Sequence, residues 1–588
     1  MPLKPGIIAE PPAPPPHLLR PQSRSSRLLY AAVIALSFGY YLLLHQRSSF
    51  DYATLRSGCT RGSNQGSTRT RVPSGSNNPA YLIRATHGAA GGNAVDAAVT
   101  TTLCTGVVNM FSSGIGGGGF MTVRVPPSSP NVSSEVYAID FRETAPALSN
   151  ETMYVDNPLA SRFGGELRGL EEAHRRWGIL PWKQLVEPAA RLAAGWIVQP
   201  ELERRMTWFP DMMLNDSDWS SIFAPNGRLL RAGESIHRTN LSRTLYTIAE
   251  EGPDAFYKGP IADAFLTKVR STEGIMTHED MEGYTVKVSR ALKGTYRGKK
   301  VYVPHAPTSG LVLLHMLNLL EHYGDFVEEG RTVLNAHRFL EAMNPDWIGD
   351  PAFHDSVEHI NSIPTKAYAD QVFPNVTDDR THSPEYYNPV YDAVEDHGTS
   401  HSSVVDANGM SVSITSTVNL IFGSGVMDPV TGVILNDEMD DFSTPGIPNA
   451  FGLYPSPFNY PEPGKRPLSS TAPIIIESED GAFYASLGGS GGSRIFPAVF
   501  QTLLNLDWGM DVSAAIEYGR MHDQLFPLIV DTDDSLPVTL LDGLRQLGHN
   551  ISVADSSRVA AVIQGIVKVN GTLFAASDSR KNGIAAGY

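Results

Sequence analysis

Between residues 93 and 108 mostly apolar side chains keep helical spacing, with Val95, Ala98, Val99, Thr102 and Leu103 on one face behind Gly91-Gly92. The pattern predicts a buried helix. A glycine run follows over 114–119 (GIGGGG), then an expected strand over 120–125. The same reading predicts helices over 167–177, 182–194, 241–250, 261–269, 311–322 and 332–343, and strands over 136–141, 286–292 and 300–303. Beyond residue 400 strands dominate, with one further helix near 496–506. No repeat of solenoid length is visible. Helix and strand patterns alternate, and their layering is left open by the pattern alone.

The most informative pattern lies at 397–419, HGTSHSSVVDANGMSVSITSTVN. Asp406-Ala407-Asn408-Gly409 is a turn signal between two strand-like runs, so a β-hairpin is expected. Side chains alternate with period two, which puts Ser411, Ser413, Thr415, Thr417 and Asn419 on one face and Val412, Ile414 and Val418 on the other. A face of hydroxyls suits a solvated antiparallel strand as well as a site.

One other run stands out: residues 28–44 contain no charge over 17 positions. That is near the short end of the roughly 17–25 residues that span a bilayer, and longer than the roughly 7–15 of a signal-peptide core. His-Gln-Arg follows it in place of a small-residue cleavage site, so an uncleaved signal-anchor is expected. Seven sequons (Asn131, Asn150, Asn215, Asn240, Asn375, Asn550 and Asn570) all lie after this run. Together they predict a type II membrane glycoprotein: a cytosolic tail (1–27), the anchor (28–44), a flexible stalk (45–78) and a lumenal or extracellular folded part, on a vacuolar or a plasma membrane.

Composition narrows the chemistry. The 588 residues are 18% charged with net charge −16, which argues against the basic face that nucleic acid requires. The two cysteines, Cys59 and Cys104, do not supply a disulfide framework, and Cys104 reads as a small buried hydrophobe. No Cys/His cluster has zinc-ligand spacing, and His397 and His401 lack a surrounding HExxH. The glycine run contains GxGxxG at Gly114, Gly116 and Gly119, but a helix precedes it and a strand follows. A dinucleotide site needs the reverse order, so these glycines are read as a closely packed bend.

A threonine hydroxyl attacks a carbonyl only with a base beside it, and one solution is the residue's own N-terminal amine. With a reference pKa near 7.7–8.0 that amine is substantially neutral at physiological pH. Thr399, after Gly398 and at the mouth of a strand, would gain such an amine on cleavage of the preceding bond.

The segments GTSHSSVVDANG and TSTVN, with NDEMDDFS (436–443), GKRPLSS (464–470) and GGSGGSRI (488–495), resemble the γ-glutamyltransferase family of N-terminal-nucleophile hydrolases. GGNAVDAAV, SSGIGGGGFM, DFRETAP, GDPAF and SDSRKNGIAAGY extend the resemblance over residues 80–588. It implies an α+β fold, a four-layer αββα sandwich, and a precursor cut into a large part (79–398) and a small part (399–588) that stay associated as a heterodimer. It also implies a γ-glutamyl transferase and threonine-type omega-peptidase acting on glutathione and related small molecules, with water, amino acids or dipeptides as acceptors. No metal or organic cofactor is implied.

By the same resemblance Thr399 is the nucleophile, its amine the base, and Thr417 its hydrogen-bonding partner. Arg142 is the clamp for the glutamyl carboxylate, as suits a planar guanidinium, with Ser469 and Ser470 adding hydroxyl donors. Asn419, Glu438 and Asp441 meet the α-amino end, and Gly491 and Gly492 form the oxyanion hole. Two segments are shorter than the family pattern, around Phe163-Gly164-Gly165-Glu166 and Met343-Asn344-Pro345-Asp346-Trp347, and Asp437 stands where asparagine is common. A protein defective in maturation is the reading those departures support. Two other readings compete. Gly488-Gly489-Ser490-Gly491-Gly492 fits GxSxG, which with His549 would make a serine esterase; a glutaryl or cephalosporin acylase is the nearer relative.

Overall fold

Hairpins dominate the sheet topology of the computed structural model, which describes residues 91–156, 165–343, 350–353, 357–387, 399–446, 454–525, 528–555 and 561–587. The tail, anchor and stalk, Cys59, Gly398, Phe163-Gly164 and residues 344–347 lie outside them. Among the described residues no helix is long and apolar enough to cross a membrane.

Eleven strands form two antiparallel sheets. β1 (Gly118–Val125), β2 (Glu135–Asp140), β3 (Lys287–Arg290), β6 (Ser400–Val405) and β7 (Ser411–Thr417) make the first, in the order β3-β2-β1-β7-β6. β4 (Leu292–Tyr296), β5 (Lys299–Val303), β8 (Ile474–Glu477), β9 (Phe483–Ser490), β10 (Val562–Val569) and β11 (Thr572–Ser577) make the second, in the order β11-β10-β9-β8-β5-β4. The expected strand over 286–292 is therefore two strands. Ala291 still donates to Val136 O of the first sheet, and from Leu292 the chain pairs in the second. The strand pattern shows no break there, because a corner between sheets keeps extended backbone on both sides.

Helices cover both outer faces, giving the expected αββα order. α1 (Ala94–Val108) and α2 (Glu166–Trp177) pack on the first sheet, with α3 (Trp182–Ala193) behind α1 and α4 (Thr239–Glu251) behind α3. α5 (Gly310–Leu320) and α7 (Ile495–Asp507) pack on the second, and α6 (Val333–Glu341) joins the same apolar core. Asn93 caps α1, accepting from Val95 N and Asp96 N while Asp96 accepts from Asn93 N. GGNAVDAAV is thus a bend, a capping box and an apolar helix start. Because α1 is buried on nearly every side, its composition is apolar all round.

The space between the sheets is polar, and the hydroxyl face of the hairpin lies there. Ser413 Oγ donates to Leu487 O (3.0 Å), Ser403 Oγ to Ser486 O (3.3 Å) and Thr122 Oγ1 to Pro473 O (2.7 Å). Val412 and Ile414 enter the apolar core under the helices. The solvated-face reading is corrected: every residue of β7 is buried, and its Ser413 hydroxyl binds a carbonyl of the facing sheet while Thr415 bonds His401. Arg124 secures both hairpin ends, bonding Glu477 (2.7 Å), Gly409 O (2.7 Å) and Gly481 O (3.0 Å).

Candidate active site

Thr399 stands at the entrance to β6, and continuing the β6–β7 register by one residue sets it opposite Thr417. Thr399 Oγ1 donates to Thr417 Oγ1 at 3.3 Å, and both residues are buried. Thr417 Oγ1 also accepts from Asn419 N (2.8 Å), and its side chain is hydrogen-bonded to Glu438. A hydroxyl has one proton. With that proton on the Glu438 carboxylate, Thr417 can only accept from Thr399, which fixes the orientation of the nucleophile's hydroxyl.

The glycine run explains how β7 comes so close to its neighbours. A Cβ on Gly117 would sit 1.9 Å from Thr417 O, and one on Gly116 would sit 2.1 Å from Ile434 O. The run is the closely packed bend that its order of elements implies.

Glu438 leads to Arg142, which follows β2 and is 1% exposed. One guanidinium nitrogen of Arg142 bonds Glu438; the other bonds Asp441 and, at 2.9 Å, Leu468 O. The carboxylate-clamp and ammonium-binding residues are therefore bonded to each other. Asn419, at φ 69°, is bonded to Asp441 and donates from Nδ2 to Asp437 O (3.2 Å). Ser469 follows Leu468 directly, is buried and bonds Thr471 Oγ1 (3.1 Å), while Ser470 is half-buried.

This pocket is short of positive charge. Burial pushes the acids of Glu438 and Asp441 upward against the pull of Arg142, and burial raises Asp437 to about 7. Burial and then Glu438 raise Glu143, whose carboxyl has no hydrogen-bond partner among the described residues. One guanidinium thus acts on three buried carboxyl groups with Asp437 close by, and uncompensated carboxylate charge is costly there. An ammonium ion placed among them would be stabilised.

Gly491 (φ 131°) and Gly492 (φ 62°) follow β9 and begin the 3-10 turn Gly492–Arg494 that leads into α7. The first N–H groups of such a segment lack acceptors within it and are oriented to receive an anion. Ser490, the residue before, accepts from Lys581 Nζ at 2.9 Å, and the same amine donates to Thr399 O at 3.4 Å. His549 has another partner. Its Nε2 lies 2.8 Å from Nδ1 of His337, whose Nε2 bonds Thr377 O (2.7 Å). The serine-esterase reading needs His549 beside Ser490, so this arrangement counts against it. His337, Glu341 and His549 also bring three metal-type donor atoms within 4.8 Å of one another, a cluster made by tertiary approach and invisible as spacing. Sequence reasoning also missed Lys581 and Asn459; the latter donates to Asp441 O (2.7 Å) and accepts from Leu468 N (3.1 Å), tying two sides of the pocket together.

A family model described as Gamma-glutamyltranspeptidase matches residues 89–588. Glutathione hydrolase proenzyme 1 of Schizosaccharomyces pombe is 40% identical over 524 residues, covering 85% of this chain and 81% of that protein. The glutathione hydrolase proenzyme of Escherichia coli is 33% identical over 524 residues, covering 85% and 88%. Among solved structures, a cephalosporin acylase from Bacillus halodurans shares the fold, with TM-score 0.73 and 22% identity over 90% of this chain and 99% of that one.

Proposed function

Because the chain belongs to the gamma-glutamyltranspeptidase family, we propose that it cuts itself before Thr399 and uses that threonine to transfer or hydrolyse γ-glutamyl groups of glutathione-type compounds. The observation that carries this reading is the continuous hydrogen-bond path from Thr399 through Thr417 and Glu438 to Arg142. It joins a nucleophile to a site chemically suited to a glutamyl head.

The substrate's ammonium replaces the Arg142 guanidinium among Glu438, Asp441 and Asn419, and Arg142 turns to the α-carboxylate with Ser469 and Ser470. The freed Thr399 amine takes the hydroxyl proton, and Oγ1 attacks the γ-carbonyl. The N–H groups of Gly491 and Gly492 receive the oxyanion. The protonated amine then gives its proton to the leaving amine, and a γ-glutamyl ester remains on Thr399. Water or an acceptor amino acid resolves the ester by the same route. The four carboxyls favour a head bearing an ammonium over a glutaryl group, which has none. The exposed sequon residues Asn131, Asn150, Asn215, Asn375, Asn550 and Asn570 support a lumenal or extracellular location for this part, on a chain with an N-terminal anchor.

Intact mass and N-terminal sequencing of the purified protein test the reading. Two fragments are expected, the smaller beginning Thr-Ser-His-Ser-Ser, and Thr399→Ala should leave one inactive chain. A Thr399→Ala protein that still cleaves and turns over γ-glutamyl anilide would sink it.

A further inference from the structure

The cluster of His337, Glu341 and His549 lies outside the mechanism above. His337 and Glu341 stand one turn apart on α6 and share a face, while His549 lies between the helix Val538–Gln546 and the strand Ile551–Ala554. All three are buried. His337 Nε2 lies 2.7 Å from Thr377 O. A carbonyl only accepts, so this nitrogen carries the proton of the neutral imidazole, and Nδ1 is left as a lone pair. That lone pair faces His549 Nε2 (2.8 Å) and Glu341 Oε1 (3.9 Å), and one ligand-type atom from each residue lies within 4.8 Å of the other two. Glu341 is held from its other side. Its Oε2 accepts from the Tyr387 hydroxyl (2.6 Å), and Thr381 bonds the same carboxyl.

We infer that His337 Nδ1, Glu341 Oε1 and His549 Nε2 form a binding site for a divalent transition-metal ion of the zinc class, with water as the fourth ligand. Two imidazoles and a carboxylate suit zinc, whereas magnesium and calcium take oxygen ligands. Around zinc at about 2.0–2.2 Å, tetrahedral ligand atoms stand about 3.4 Å apart. The separations of 2.8 and 3.9 Å bracket that spacing, so small side-chain rotations close the site. Without the ion His549 Nε2 donates to His337 Nδ1; with it, His549 carries its proton on the other ring nitrogen and Nε2 becomes a ligand. Burial keeps both imidazoles neutral, His549 falling to about 3, and raises the acid of Glu341 to about 7. A dication displaces that carboxyl proton. The Thr377 carbonyl and the Tyr387 hydroxyl are then the outer contacts that orient the ligands. His549 follows Thr399 in the chain and the other two ligands precede it. On the reading that the chain is cut before Thr399, the ion therefore joins the two fragments.

The test is metal binding by the purified protein, free of any polyhistidine tag, stripped with a chelator and then titrated with Zn²⁺ or Co²⁺. The wild type should bind about one ion per chain, and Co²⁺ should give the intense visible bands of tetrahedral coordination. Zinc-edge X-ray absorption should show two imidazoles in the ligand shell. His549→Gln and Glu341→Gln should each weaken binding by about 100-fold or more, and Tyr387→Phe, which keeps all three ligands, by about 10-fold. Added zinc should raise the thermal midpoint of the wild type and not that of the glutamine variants. A wild type that binds no zinc, or glutamine variants that bind it as tightly, overturns the site. Where those variants do not fold, fewer than two imidazoles in the wild-type spectrum overturns it. Thr399→Ala should bind the same amount of zinc, since the site needs no cut. In the cut protein chelation should let the fragments separate at lower denaturant; no change there overturns the joining role. An uncut wild-type chain that binds zinc would refute the nucleophile reading and leave the metal site standing.

Discussion

Asp437 shows how one atom's identity changes a pocket already crowded with acid. Its Oδ1 accepts from Leu420 N (3.0 Å), a role that an asparagine oxygen fills equally well. The carboxylate adds a charge beside Glu438 and Asp441, and burial raises its acid to about 7. A folded pKa above the unfolded value of about 3.9 means that the native state binds the extra proton. The associated stability is complete below the unfolded pKa and lost as pH rises through about 7. Asp437→Asn should therefore raise the thermal midpoint at pH 8 while leaving it nearly unchanged near pH 4. Allowing for partial exposure, the gain at pH 8 is about 1–2 kcal/mol, readable by differential scanning calorimetry; an equal shift at both pH values would refute the charge argument. The sequence shows Asp437 as a departure from the family pattern but not its consequence: Asp440 and Asp441 stand near it in sequence, whereas the burial that shifts it is brought in from elsewhere in the chain. Lys581 and Asn459 were illegible for the same reason: each acts on partners far away in sequence.

At the scale of elements, periodicity located the hairpin and sorted its faces but could not say what each face meets. A row of hydroxyls fits water and a site equally well, and the partners that decide between them, Leu487 O for Ser413 and His401 for Thr415, are set by the fold. Helices were the easier case: α1, α3, α4 and α7 agree with their expected spans to within a few residues, since a 3.6-residue period over several turns has few alternatives. The β3–β4 corner went unseen because both of its strands are extended and no turn residue separates them. The polar sheet interface has a measurable signature. Ser413→Ala removes a buried hydrogen bond to Leu487 O, at a cost of about 0.5–1.5 kcal/mol. Urea denaturation should show this loss with an unchanged m-value. Were the face solvated, the same change would lie within about 0.5 kcal/mol of zero.

For the whole molecule, the position of the expected cut matters more than the number of pieces. Each apolar core draws on chain from both sides of Thr399: Val412, Ile414, Phe422 and Leu435 join the core built around α1 and α3, while the second core combines α5 with β8, β9 and α7. Phe422 concentrates this interlock. Its ring sits among Phe111, Phe209, Trp219 and Phe223, with centroids 5.5–6.2 Å away and all four contacts edge-on. All four partners precede the cut. Removing a fully buried phenylalanine ring costs about 3–5 kcal/mol. In an uncut chain this would be a loss of stability alone; once the chain is cut it also weakens the association of two separate polypeptides. Phe422→Ala is therefore expected to lower the thermal midpoint of the uncut Thr399→Ala background independently of protein concentration. In the cleavable protein it should make the midpoint fall further on dilution, with the fragments separating in size-exclusion chromatography under mild denaturant. Equal effects in the two backgrounds would mean that the fragments are held together elsewhere, in the sheet interface around Ser413 and Leu487.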